Sequence, residues 1–221
     1  MLRTCLARFS SLASILVAAV VMLTGVPVAA LADDYSAPLD TAISDLPVAT
    51  ESRSGYERDK FKHWIDEDGD GCDTRDEVLL EEADEPPTKS GSCSLSGGRW
   101  FSFYDRVSWT DTSDIDIDHM VPLAETWDSG ASTWSAATRE AYANDLGDYR
   151  TLVGVTDNVN QQKSDQDIAE WLPEYAQCQY LRQFVAVKHR WGLHVDSAEK
   201  TAMQDLADTC ENITISVTLA R

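Results

Sequence analysis

Hydrophobic and polar positions alternate along this chain in two periods, one suited to strands and one to helices. Strict alternation runs through 114–121: Ile115 and Ile117 fall on one side, Asp114, Asp116 and Asp118 on the other, as in a half-buried strand. Residues 99–108 alternate aromatic with polar groups and predict a strand or short hairpin, and 152–155 is a short apolar strand. Helical spacing appears elsewhere. Tyr56, Phe61 and Trp64 recur as one helix face would space them. A second helix over 75–83 carries Val78, Leu79 and Ala83 behind a cap at Asp73 or Thr74. Glu85-Pro86-Pro87 and Ser90-Gly91 mark a loop after it. Pro122 breaks the strand, a helical run follows to Trp127, and 135–146 reads as a helix entered through Ser132 or Thr133. Thr156 or Asp157 caps a helix holding Asn160 and Lys163, and two more helices are expected over 178–191 and 197–210.

The first residues change the compartment in which this pattern is read. Arg3 and Arg8 precede an apolar run over 12–23, and Ala30-Leu31-Ala32 supplies small residues for signal-peptidase cleavage. The run falls short of the roughly 20 residues that span a bilayer, so 1–32 is expected to be a cleaved signal and the product to be secreted. Residues 33–54, small, acidic and Pro-containing, read as a flexible leader, which leaves 55–221 as one domain. In an oxidising compartment Cys72, Cys93, Cys178 and Cys210 are expected to form two disulfides. Three pairings are open; Cys72 with Cys93 and Cys178 with Cys210 is preferred, because each then clips one terminal region through a short loop. A zinc site is disfavoured, since no CxxC pair is present and no cysteine stands at ligand spacing from a histidine.

Candidate chemistry centres on Asp116-Ile117-Asp118-His119-Met120-Val121-Pro122. A histidine at a strand end, after a carboxylate and before a strand-breaking proline, is held rigidly at a loop mouth. If a second strand and a helix pack back across the first, Asn160 on that helix can face the same point as Asp118. A carboxylate and an amide oxygen suit a hard divalent ion, Mg²⁺ or Mn²⁺, that also takes a phosphate oxygen. His119 would then serve as general base toward water, and Lys163, one helical turn from Asn160, is the candidate for substrate phosphate.

These segments, with Trp171-Leu172-Pro173 and Cys72-Asp73-Thr74-Arg75, resemble secreted HNH endonuclease family proteins of Gram-positive bacteria, whose motif is similar to the nuclease subunit of GmrSD-type restriction systems. The resemblance extends from about Gly55 to Cys210. It implies an α+β fold with a ββα-metal core wrapped by helices, a base at His119, metal ligands at Asp118 and Asn160, and an endonuclease acting on DNA, with RNA as an alternative, at little sequence specificity. It also brings Arg75 forward as a phosphate contact. HNH motifs carry a middle asparagine near the second strand, where this chain has Thr151; Asn144 is the candidate for that role.

Two features pull the other way. The formal net charge is -20, which opposes binding to a phosphate backbone, although net charge governs association rather than chemistry. The segment from Asp66 through Asp68 and Asp70, with Gly71 sixth and Glu77 twelfth, fits the EF-hand loop template and offers Ca²⁺ a site. The rival reading is therefore a secreted, calcium-binding module without catalysis, in which His119 is structural. Lys188-His189-Arg190 is read as ordinary ion pairing, and Trp100, Trp109, Trp127, Trp134 and Trp191 as core.

Overall fold

The computed structural model describes residues 34–221, and the expected signal segment 1–32 lies outside them. The first described elements correct the expectation of a flexible leader. Strand β1 (Asp34–Pro38) pairs antiparallel with the last strand, β8 (Thr214–Thr218), and helix α1 (Leu39–Asp45) buries Leu39, Ala42 and Ile43. Three apolar residues at helical spacing are enough to anchor a segment whose composition is otherwise that of a linker. Val48 then bridges to Val195.

The aromatic stretch that follows also departs from expectation. Tyr56, Phe61 and Trp64 do not share a helix: a single 3-10 turn, Arg58–Lys60, stands between them, and Trp64 has a left-handed φ of 58°. The aromatic residues cluster through tertiary contacts instead, Phe61 and Tyr56 packing on Trp127. Beyond the acidic loop, α2 (Thr74–Glu81) starts where the Asp73 carboxylate accepts from the Asp76 amide. Two hairpins come next, β2 (Thr88–Ser90) with β3 (Ser94–Ser96) and β4 (Trp100–Ser102) with β5 (Val107–Trp109), the first of them unforeseen in the Pro-containing loop.

Strand β6 (Ile115–His119) is followed by α3 (Leu123–Asp128), whose N-cap is Pro122, and by α4 (Ala136–Ala143), capped by Ser135. β7 (Leu152–Thr156) returns antiparallel to β6, and α5 (Asp157–Lys163) leaves it directly and packs on both strands. Helices α6 (Gln177–Trp191) and α7 (Ser197–Ala207) complete the α+β set. The disulfides are Cys72–Cys93 and Cys178–Cys210, as preferred from spacing.

The β6–β7 pair is covered on both faces, which fixes its register. Ile115, Ile117 and Leu152 enter a cluster with Val78, Leu79 and Trp100, whereas Val153 and Val155 on the opposite face join the main core around α6. Each buried isoleucine contributes about 1.5 to 3 kcal/mol by area. Asp116 and Asp118, opposite Val155 and Val153, therefore lie on the face that α5 covers. Trp100, Trp127, Trp134 and Trp191 are buried, as expected, with Trp109 half-buried. Lys188 and Arg190 are buried too: Lys188 bonds Glu125 at 2.6 Å and Arg190 bonds Asp145 at 2.7 Å, so this segment is an ion-paired interior and not a basic face.

Glu82, at the end of α2, reaches across to β7, where its carboxylate accepts from the Gly154 amide at 2.6 Å. A Cβ at position 154 would stand 2.9 Å from that oxygen and push the Glu82 carboxylate off its bond. Burial pushes the Glu82 carboxyl from 4.5 up to about 7, the Gly154 bond pulling the other way. A carboxyl raised in the folded state contributes stability below its unfolded value and loses it as pH rises through the folded value. Between about pH 5 and about pH 8, the melting temperature of the wild type is expected to fall relative to that of Glu82→Gln, which does not titrate there. Parallel melting curves for the two proteins across that range would refute the assignment.

Candidate active site

His119 ends β6 because the chain turns there: Met120 still donates its amide to the Thr151 carbonyl, and Pro122 then has no amide to offer. The imidazole is buried, 5% exposed. Its Nε2 lies 3.0 Å from the carbonyl oxygen of Ala143, at the end of α4. A carbonyl only accepts, so Nε2 carries the hydrogen and Nδ1 is left with the lone pair. The rings of Tyr142 and Trp64 flank the imidazole at 6.1 and 5.6 Å between centroids. Burial pulls the histidine down to about 3; the Ala143 bond opposes this, and the charge of Arg58 adds to it. At neutral pH the ring is neutral, with the Nδ1 lone pair unprotonated.

Asn144 secures that anchor from the next position. Its amide donates to the carbonyls of Lys62 and Glu140, each at 2.8 Å, and its oxygen accepts from the Ile65 amide and the Thr74 hydroxyl. Four bonds from one buried side chain fix the end of α4 against the segment before the acidic loop. Thr151 instead bonds Asp145 through its hydroxyl, so the bracing of the base falls to Asn144.

The Asp118 carboxylate is held from two sides. Tyr104 donates to Oδ2 at 2.6 Å, and the Lys163 ammonium spans both oxygens at 2.8 and 2.6 Å. Lys163 also donates to the carbonyls of His119 and Met120, at 2.9 and 3.2 Å. Burial alone drives both groups toward neutrality, Asp118 upward and Lys163 downward. Their mutual attraction and hydrogen bonds oppose this, as does the Tyr104 bond to Asp118, and the geometry favours the charged pair, because an ammonium has a third hydrogen for the carboxylate beyond the two that the carbonyls receive.

Lys163, read from the sequence as a phosphate contact, is therefore misplaced in that role: it is fully buried and its donors are consumed. Arg75 is corrected likewise, since its guanidinium donates to the carbonyls of Thr112 and Ile115 and ties α2 to the entrance of β6. Asn160 is where the sequence placed it. Its Nδ2 donates to Asp116 Oδ2 at 3.2 Å, which turns Oδ1 away as an unused acceptor. Asp116 was not foreseen as this orienting residue, although its alternation with Asp118 had put both on one face.

His119, Asp118 and Asn160 line one cleft of about 500 Å³ together with Tyr56, Arg58 and Asp165. The donors fit a hard divalent ion: three of the roughly four lone-pair sites on the Asp118 carboxylate are taken, leaving one on Oδ1, and Asn160 Oδ1 is unused. Arg58 and Tyr56 are the lining residues that sequence reading missed, Tyr56 having been read only as part of a helix face.

The acidic loop lies apart, with none of its residues lining this cleft. The carboxylates of Asp66, Asp68 and Asp70 meet, as do groups of Asp70, Cys72 and Glu77. Asp66 accepts from the amides of Gly69 and Gly71, Asp70 from Cys72, and Lys89 sits 2.6 Å from Asp70 Oδ2. Among the described residues no helix is long and apolar enough to cross a membrane.

The family described as GmrSD restriction endonucleases, C-terminal domain, matches residues 73–206. That span runs from the cap of α2 into α7 and contains Asp118, His119, Asn144 and Asn160, but not Tyr56 or Arg58. An uncharacterized secreted protein of Arthroderma benhamiae is 45% identical over 160 residues, covering 72% of this chain and 77% of that protein. No solved structure matches.

Proposed function

The chain belongs to the family of GmrSD restriction endonuclease C-terminal domains, and from that premise we propose that it is a secreted, metal-dependent endonuclease hydrolysing phosphodiester bonds of nucleic acid, DNA foremost, with little sequence specificity. The single observation that carries this reading is the 3.0 Å contact of His119 Nε2 with the Ala143 carbonyl, from which the tautomer follows. The Ala143 carbonyl occupies Nε2 and leaves Nδ1 as a proton acceptor in the cleft that also holds Asp118 and Asn160. The order β6, β7, α5, with Asp118 on the first strand and Asn160 on the helix, supports a ββα-metal core.

In this mechanism His119 Nδ1 takes the proton of the attacking water. Buried as it is, the ring has little proton affinity of its own, but an anionic phosphate beside it favours the imidazolium and raises that affinity as the substrate enters. Asp118, pinned by Tyr104 and Lys163, and Asn160, turned by Asp116, would hold a Mg²⁺ or Mn²⁺ ion. Such an ion, when bound, supplies Lewis-acid stabilisation of charge on the phosphate and leaving oxygens. The calcium-module alternative draws on the meeting of Asp66, Asp68 and Asp70, where Lys89 offsets part of the charge on Asp70 and no residue of the loop lines the cleft of His119.

The test is degradation of plasmid DNA and of RNA by the purified protein. Activity is expected with Mg²⁺ or Mn²⁺, to vanish in EDTA, and to return when either ion is restored. Cleavage that persists in EDTA would remove the metal from the mechanism; intact substrates under every ion would remove the nuclease.

A further inference from the structure

Arg58 stands out from an accounting of positive charge. Among the described residues, the other lysines and arginines are tied to carboxylates, carbonyl oxygens or aromatic rings. Arg58 has no such partner; the polar group beside it is the Tyr56 hydroxyl. It is exposed, and it lines the cleft of Asp118, His119 and Asn160.

Its position is set by the backbone. The 3-10 turn Arg58–Lys60 is closed by the amides of Lys60 and Phe61 on the carbonyls of Glu57 and Arg58. Phe61 is fully buried against Trp127 and Tyr142, and Lys60 donates to Gly55. Asp165, which lines the same cleft with Asp118, is paired with Arg53, which also holds Asp128. The site thus presents a guanidinium without a carboxylate partner while its nearby carboxylate is countered, in a chain of net charge -20.

We propose that Arg58 is the substrate-phosphate residue of this site, its guanidinium binding a nonbridging oxygen of a nucleic-acid phosphodiester placed against His119. The proposal rests on the nuclease reading and adds to it the group that grips the substrate, a role for which the sequence had offered Lys163 and Arg75. Because the guanidinium is exposed and its one polar neighbour is the Tyr56 hydroxyl at the same cleft, Arg58→Gln is expected to melt nearly as the wild type does. Its KM for DNA should rise about tenfold, the loss of one contact of about 1.4 kcal/mol, with Arg58→Lys recovering part of it. One phosphate contact fewer also lowers the slope of log affinity against log salt by about 0.9 on duplex DNA. A residue that served only the fold would not change that slope.

The experiment measures cleavage for the wild type and both Arg58 variants. In parallel, it measures binding of a fluorescein-labelled DNA duplex over a salt series, with His119→Ala as the parent and His119→Ala/Arg58→Gln as the test. A weakened KM and a shallower salt slope support the proposal. An unchanged slope with KM within about twofold overturns it and leaves the nuclease standing. Failure of the parent to bind the duplex also overturns it. Binding that depends on Arg58 in a protein that cleaves nothing keeps the phosphate site and removes the nuclease.

Discussion

Replacement of His119 by alanine is expected to lower kcat by about a thousandfold, within the 10²- to 10⁴-fold range of a positioned general base. The argument is geometric. Nε2 is committed to the Ala143 carbonyl, the ring is walled by Tyr142 and Trp64, and no other imidazole lines the cleft. His63 is the nearest substitute, 6.5 Å away between centroids, and its Nδ1 bonds the Phe61 carbonyl. Alanine also removes a buried ring, so the control is His119→Asn, whose shape keeps much of the packing while its amide cannot act as a base near neutrality. Both variants should bind DNA under EDTA as the wild type does and fail to cut it when Mg²⁺ is added. Cleavage by His119→Asn within about tenfold of the wild-type rate would mean that the proton leaves by another route.

The second large effect concerns Lys163. Lys163→Met is expected to cost about 3 to 5 kcal/mol of stability, the usual result of leaving one charge of a buried pair uncompensated. Asp118 would lose bonds to both oxygens and keep only Tyr104, while the carbonyls of His119 and Met120 would lose a donor. The strand end that carries the base is sewn to α5 by that one ammonium. Chemical denaturation should therefore show a lowered midpoint, and cleavage should fall even at temperatures where the variant stays folded. An exposed phosphate-binding lysine would behave in the opposite way, raising KM and sparing stability; that outcome would return Lys163 to the role its sequence position suggests.

Much of the site was legible because its cues are local. Alternation over 114–121 put Asp116 and Asp118 on one face, Pro122 stopped the strand, and the helix after 156 delivered Asn160 to the same place. What stayed hidden depends on distant chain or on backbone. The anchor of His119 is a carbonyl, which no residue type announces. Helical spacing located Lys163 one turn beyond Asn160 but could not say that its ammonium points into the pair of strands. Arg58 sits on a single 3-10 turn without periodicity, so no pattern singled it out from its charged neighbours. The segment over 34–48 was taken for a linker because the strand that orders it lies about 180 residues later.

That first-with-last pairing has a consequence for biosynthesis. β8 packs on α6, and Arg190 of α6 joins the carbonyl of Thr218 to Asp145, beside the Ala143–Asn144 corner that carries the histidine. Neither the terminal ribbon nor this buttress can assemble on a ribosome or part-way through a translocation channel, since the partner strand is still missing. The corner that carries the histidine is therefore buttressed only once β8 is free to meet β1, and the proposed cleavage would gain that support last.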